Sequence, residues 1–119
     1  MRHLKKKFKL KRQYGHRKSI LSILSCQLIK YKIIKTTLIK AKAIRIYLEP
    51  LLTKSKNNTL HSKRIIFKYL KNKSIIKILF NKIRPKILLR KGGYLRIIKI
   101  GRRYNDNSKM ALISFVDNY

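Results

Sequence analysis

Lysine or arginine interrupts the apolar runs of this chain every few residues. The longest charge-free stretch, Ser19 to Ile29, is far short of the ~20 residues a membrane-spanning helix needs. No element can be apolar all round, so each must keep one wet face. The sign of the charge is as restrictive as its spacing. There are 33 Lys+Arg against 3 Asp+Glu in 119 residues, a formal net charge of +30. Three acids neutralise at most three cations. The remainder repel one another and oppose the compact state, so the chain calls for a polyanion. Nucleic acid is the first choice, because its phosphates release counterions on binding. An acidic membrane surface is the second.

The same inventory excludes most chemistry. Glu49, Asp106 and Asp117 are the acids, and Glu49 lies in a different segment from the other two, so no carboxylate pair for acid–base work is expected. Cys26 stands alone, which rules out an intrachain disulfide and a cysteine-based zinc site. His3, His16 and His61 lack ligand spacing. No catalytic residue, metal, cofactor or small-molecule substrate is expected. The charge-free stretch follows a basic start, as a signal-peptide core would. Lys30, Lys32 and Lys35 nevertheless stand where a small-residue cleavage site belongs. Without secretion, the glycosylation-like "NNT" at Asn57 and "NKS" at Asn72 carry no meaning.

Periodicity divides the chain simply. Residues 1–16, "MRHLKKKFKLKRQYGH", form a basic arm with too few apolar residues to hold a core; such an arm orders on a polyanion. Residues 17–119 form one domain. Arg17 to Tyr31 is expected to be a helix buried through Ile20, Leu21, Leu24, Leu28 and Tyr31, with Ser22, Ser25 and Gln27 on another face. "KIIKTT" is a short strand, and Thr36 or Thr37 caps the following helix, Leu38 to Lys54. That helix buries Ala41, Ile44, Leu48, Leu51 and Leu52, with a kink before Pro50 or a break at it. After the loop "SKNNT" a third helix spans Leu60 to Lys71, with Ile65, Ile66, Tyr69 and Leu70 inward. A fourth runs from Lys73 or Ser74 to Ile83, carried by Ile75, Ile76, Leu79, Phe80 and Ile83. Pro85 is expected to stop it, leaving 86–91 as a connector. Tyr94 to Ile100 and Met110 to Val116 read as antiparallel strands around the polar turn containing "YNDN". Both strands are apolar on both faces, which predicts a sheet well covered by helices. The expected fold class is α/β: a single small domain, about four helices on a short three-stranded sheet, with a basic N-terminal arm.

"RKGGYLRIIKIGRR", residues 90–103, invites a phosphate-loop reading. A Walker loop leads into a helix and ends Gly-Lys-Ser/Thr. Here Gly92 and Gly93 lead into a strand pattern with no Ser or Thr, and the dinucleotide spacing is absent. The glycines are expected to make a tight turn with φ > 0 at one or both. The flanking Arg90, Lys91, Arg96, Arg102 and Arg103 would cluster if strand and loop fold toward one side. Zinc-finger spacing, leucine heptads and RNA-recognition aromatic pairs are all missing. A compact domain with an arm and charge on all faces suits burial in folded RNA, through backbone contacts rather than base readout. Composition alone leaves a nucleoid-type DNA-compacting protein as the alternative.

Several blocks together are specific: "MRHL" at 1–4, "HRKSIL" at 16–21, "IIKTTLIKAKAIR" at 33–45, "EPLLT" at 49–53, "KILFNKI" at 77–83, "GGYLRIIKIG" at 92–101 and "MALISFVD" at 110–117. In order and spacing the chain resembles the bacterial-type large-subunit ribosomal protein seventeen family over nearly its whole length. It departs from that pattern where Ile39 replaces a usual Pro and Ala43 a usual Glu. The resemblance implies a non-enzymatic structural constituent of the large ribosomal subunit. Its partners would be large-subunit ribosomal RNA and adjacent ribosomal proteins, near the nascent-chain exit region, on a bacterial cytoplasmic or an organellar ribosome. No membrane partner is implied. The expected RNA-binding residues are Arg2, His3, Lys5, Lys6, Lys7, Lys9, Lys11, Arg12, His16, Arg17, Lys35, Lys40, Lys42, Arg64, Arg90, Lys91, Tyr94, Arg96, Arg102 and Arg103.

Overall fold

A computed structural model describes residue 10 and residues 12–116. Helix α1 spans Tyr14–Tyr31, starting three residues before the expected Arg17. It stops at Lys32, whose left-handed φ of 68° lets its N–H return to the Leu28 carbonyl at 2.7 Å. The chain then enters β1, Ile33–Thr37. Thr37, rather than Thr36, caps α2 (Leu38–Ser55) by accepting the Lys40 N–H at 3.4 Å. Thr59 caps α3 (Leu60–Leu70) in the same way, accepting from Ser62 N–H at 3.2 Å. Asn72 caps α4 (Lys73–Ile78) through two backbone N–H groups, of Ser74 and Ile75. Three short polar side chains thus satisfy amide groups that a helix start leaves orphaned.

Neither proline ends its helix. Helix α2 runs unbroken through Pro50. The carbonyl deprived of a partner belongs to Ile46, and Ile46 and Pro50 are both exposed, so water can serve it. Leu48, Leu51 and Leu52 meanwhile hold the turn on the core. Pro85 does not end the fourth helix either. A π-helical turn, Leu79–Ile83, follows α4, and a last short helix, α5 (Arg84–Ile87), contains Pro85 near its start. In the π turn the Arg84 N–H reaches the Leu79 carbonyl, one residue further back than in an α-helix. The wider winding accommodates a residue with no N–H, and wholly buried Ile83 and Ile87 anchor it.

Strands β2 (Leu95–Arg102) and β3 (Lys109–Phe115) complete an antiparallel sheet of order β1-β3-β2. The register aligns Ile34, Ile113 and Ile97 in one row, and pairs Leu95 with Phe115 on the same face. That face packs on α2 and carries the sheet's share of a core running through Ile44, Leu48, Leu52, Ile66 and Leu79. The outer face carries Ile33, Lys35, Arg96 and Ile98. Ile98 is 53% exposed, as are Ile33 at 46% and Ile100 at 41%. The expectation of a sheet covered on both faces is therefore wrong for β2: the helices pack on one side only, and its second set of isoleucines faces outward.

The stripe of α2 lies as expected, with Ala41, Ile44, Leu48, Leu51 and Leu52 all buried. That of α1 does not. Its buried residues are Ser22, Ser25, Cys26, Leu28 and Ile29, while Tyr31 is exposed and Leu21 and Leu24 are half-buried. Ser22 and Cys26 turn inward because they serve the end of α3. Ser22 Oγ donates to the Leu70 carbonyl at 3.0 Å, and Cys26 Sγ approaches the same oxygen at 3.5 Å. Burial pushes the Cys26 thiol pKa up. Tyr69 of α3, expected inward, is only partly covered.

Candidate nucleic-acid interface

The glycine segment is a turn into a strand. Gly93 has φ 63° and Gly101, at the bulge between Lys99 and the end of β2, has φ 104°; Gly92 is not in the left-handed region. A Cβ on Gly93 would meet only the Arg96 side chain at 3.6 Å, so backbone conformation rather than space requires glycine there. The end of α2 fixes the turn. Glu49 accepts the N–H groups of Tyr94 and Leu95 at 3.3 and 3.0 Å. The Tyr94 hydroxyl meets Thr53 Oγ1 at 3.3 Å. Lys56 donates to the Arg90 carbonyl and lies over the Tyr94 ring, 5.0 Å from its centroid. The Arg84 guanidinium donates twice to the Lys56 carbonyl, at 3.2 and 2.9 Å, so this arginine closes the end of α2. Tyr94 is wholly buried. Its place among the expected RNA contacts is thus a correction: burial withdraws the ring from any external partner.

The cations around the turn form two groups, not one. β2 rises about 3.3 Å per residue, so Arg96 and Arg102 lie roughly 20 Å apart along it. Arg90, Lys91 and Arg96 belong to the glycine end. Arg96 donates to the Gly93 and Leu95 carbonyls at 2.8 and 3.0 Å. Arg102 and Arg103 belong to the hairpin end, which the register sets beside the start of α2 and Lys40. There Arg103 contacts Asp106 through two nitrogens, at 3.0 and 2.5 Å, and Asp106 also accepts the Ser108 N–H at 3.1 Å. The arginine contact, reinforced by that amide, holds the Asp106 carboxyl well below the usual carboxylate range. Tyr104, at 99% exposure, projects from this tip; the sequence signal there read only as a turn.

The other expected residues spread over further surfaces. Arg12 and His16 are exposed and Arg17 half-buried where α1 begins. Lys35 shares the outer sheet face with Arg96. Lys40 is half-buried and Lys42 exposed on α2, and Arg64 is exposed on α3. Arg90 is half-buried and Lys91 exposed. Arg2, His3, Lys5, Lys6, Lys7, Lys9 and Lys11 lie outside the described residues. Of the two described acids, Glu49 is directed at backbone amides and Asp106 at Arg103. Neither screens the remaining cations. Among the described residues no cluster of groups could hold a metal ion, and no helix is long and apolar enough to cross a membrane.

A cationic surface of this extent on a small α/β domain fits many nucleic-acid partners; comparison with known proteins narrows the choice. Residues 20–116 match the family model of ribosomal protein L17. The chain belongs to the ribosomal protein L17 family. It is 53% identical to a Porphyromonas gingivalis protein over 117 residues, 98% of this chain and 73% of that relative. It is 50% identical to a Flavobacterium johnsoniae protein, covering 98% of this chain and 72% of the relative. An Amoebophilus asiaticus protein is 46% identical, with 60% of its length covered. Each of these relatives is named large ribosomal subunit protein bL17. As an L17-family member the chain is a structural protein of the large ribosomal subunit and not an enzyme. The L17 blocks noted in the sequence include the residues that join α2 to the glycine turn, Glu49 and Thr53 on one side and Gly93 and Tyr94 on the other.

Proposed function

We propose that the chain binds large-subunit ribosomal RNA and helps shape the subunit, contacting adjacent ribosomal proteins near the region where the nascent chain emerges. The setting is a bacterial cytoplasmic or an organellar ribosome. The observation that carries this reading is electrostatic. A net charge of +30 remains on a chain whose two described acids are already engaged internally. Folded RNA, with its dense phosphates, neutralises cations spread over several faces at once. The family role supports the location at the exit region. Contacts are assigned to Arg12, His16 and Arg17 at the start of α1, to Lys35 and Arg96 on the outer sheet face, and to Lys91, Arg102 and Arg103 at the two sheet ends. Lys40, Lys42, Arg64 and Arg90 complete them on the described domain. The arm cations Arg2, Lys5, Lys6, Lys7, Lys9 and Lys11, with His3, extend the same contact.

Co-sedimentation of the tagged chain through a high-salt gradient tests this, with retention on the large subunit expected. Removing residues 1–12 stops short of α1 and takes away about seven cations. The slope of log affinity for large-subunit RNA against log salt should become shallower by roughly six. An unchanged slope would remove the arm from the interface. Duplex DNA competing as well as ribosomal RNA at physiological salt would favour the DNA-compacting alternative.

A further inference from the structure

A groove of about 490 Å³ opens between α1, α2 and α3, with no strand residue in its lining. Its lining includes three tyrosines, Tyr14, Tyr47 and Tyr69, and four cations, Arg17, Lys18, Lys54 and Lys68, with no acid among them. Tyr47 donates its hydroxyl to the Tyr69 carbonyl at 2.9 Å and meets the Tyr69 ring edge-on, centroids 6.1 Å apart at 79°. That contact braces Tyr69 as a wall. Tyr14, 65% exposed, also lines the groove. The Lys18 ammonium lies 5.8 Å from the Tyr14 centroid and 6.0 Å from that of Tyr69, and the Arg17 guanidinium lies 5.6 Å from Tyr14. Aromatic rings partly open to solvent, each beside a cation, therefore flank an apolar floor.

The rim decides which occupant fits. The chain's own N-terminal arm precedes Tyr14 in the sequence, but its charge has the same sign as the rim's, which disfavours it as the occupant. An apolar side chain from a neighbouring protein gains nothing from four cations. An unstacked nucleotide uses every feature: its base stacks on a tyrosine face and its phosphate sits among the cations. We propose that this groove takes one unstacked nucleotide of single-stranded RNA, its base against Tyr14, the more open ring, and its phosphate held by Arg17, Lys18, Lys54 and Lys68. This deepens the RNA-binding reading above and rests on it.

The test uses the full chain with a uridine oligomer of about ten residues and, in parallel, large-subunit ribosomal RNA. Tyr14→Leu keeps apolar bulk but removes the stacking face; it should weaken oligomer binding about tenfold with an unchanged salt slope. Tyr14→Phe should bind like the parent. Lys54→Gln should lower the salt slope by about one. Photocrosslinking from 4-thiouridine in the oligomer should map to Tyr14. Parental oligomer binding by Tyr14→Leu, or crosslinks mapping only to the sheet ends, overturns the groove assignment and leaves the RNA reading standing. Tyr14→Leu that binds both RNAs normally but leaves the subunit in high salt makes the groove a protein-docking site and overturns it as well. Failure of the parent chain to bind either RNA removes the RNA reading itself.

Discussion

The carboxylate of Glu49, midway along α2, accepts the backbone N–H groups of Tyr94 and Leu95, 45 and 46 residues later in the chain. An acid that the charge balance makes scarce is thus placed where it aligns the first residues of β2. The turn carrying Arg90 and Lys91 inherits its position from this contact. Glu49→Gln leaves one acceptor oxygen for two donors and removes the charge that strengthens both bonds. Unfolding should become easier by about 1.5–3 kcal/mol. Urea denaturation should show a lower midpoint at an unchanged slope. An unaltered midpoint would show that the turn is held without it.

Tyr94 was expected to touch RNA and is instead wholly buried. Tyr94→Phe removes the hydroxyl shared with Thr53 and should cost about 1 kcal/mol in thermal or urea unfolding. Affinity of the folded variant for large-subunit RNA should equal that of the parent. A loss of affinity out of proportion to the loss of stability would put the ring back in the interface.

Tyr47 supplies a pH test. Burial, with smaller contributions from Tyr69, Cys26 and Tyr14, pushes its hydroxyl pKa up to about 12. In the unfolded chain it titrates at about 10. The folded state therefore holds the proton more tightly. The stabilisation is fully present below about pH 10 and is lost as pH rises through about 12. The readout is the difference in melting temperature between the parent and Tyr47→Phe, which isolates this hydroxyl. That difference should change in the parent's disfavour across this interval and stay flat below it. A difference independent of pH would mean that the Tyr47 proton is not held by the fold.

Ser25 is buried on α1, and its hydroxyl has no hydrogen-bond partner among the described residues. Such a group costs about 1–3 kcal/mol when desolvated without compensation. Ser25→Ala removes the cost and also favours the helix. Stability should rise by about 1 kcal/mol, whereas Ser22→Ala, which leaves the Leu70 carbonyl with only the weak Cys26 thiol donor, should lower it by a similar amount. Opposite signs from two serines one turn apart separate a satisfied hydroxyl from an unsatisfied one.

Local signals were legible where the deciding partners lie close in sequence. Thr37, one of the two threonines read as a cap, accepts from an N–H group only three residues away. The α2 stripe follows from the 3.6-residue period, and every member of it is buried. The α1 stripe misled because hydrophobicity ranked Ile20 and Leu21 above Ser22 and Cys26. The buried polar partner that reverses that ranking, the Leu70 carbonyl, is 48 residues from Ser22. Pro85 misled for a related reason. A proline signals an end only if the helix stays α, and a π turn held by Ile83 and Ile87 removes that condition.

The amino-acid sequence by itself determined the sign and scale of the charge, and with them the need for a polyanion. Its inventory made paired-carboxylate and metal chemistry unexpected, and its ordered blocks carried the family. These conclusions depend on which residues are present and how they are spaced, and no long-range contact can alter them. Tertiary structure alone decided that β3 lies between β1 and β2, that one sheet face remains open, and that Arg96 and Arg102 mark opposite ends of a strand. It also brought Tyr14, Tyr47 and Tyr69 to one groove from three helices. Each of these outcomes is set by packing between segments tens of residues apart, where the burial of one face competes with the satisfaction of a distant carbonyl or amide.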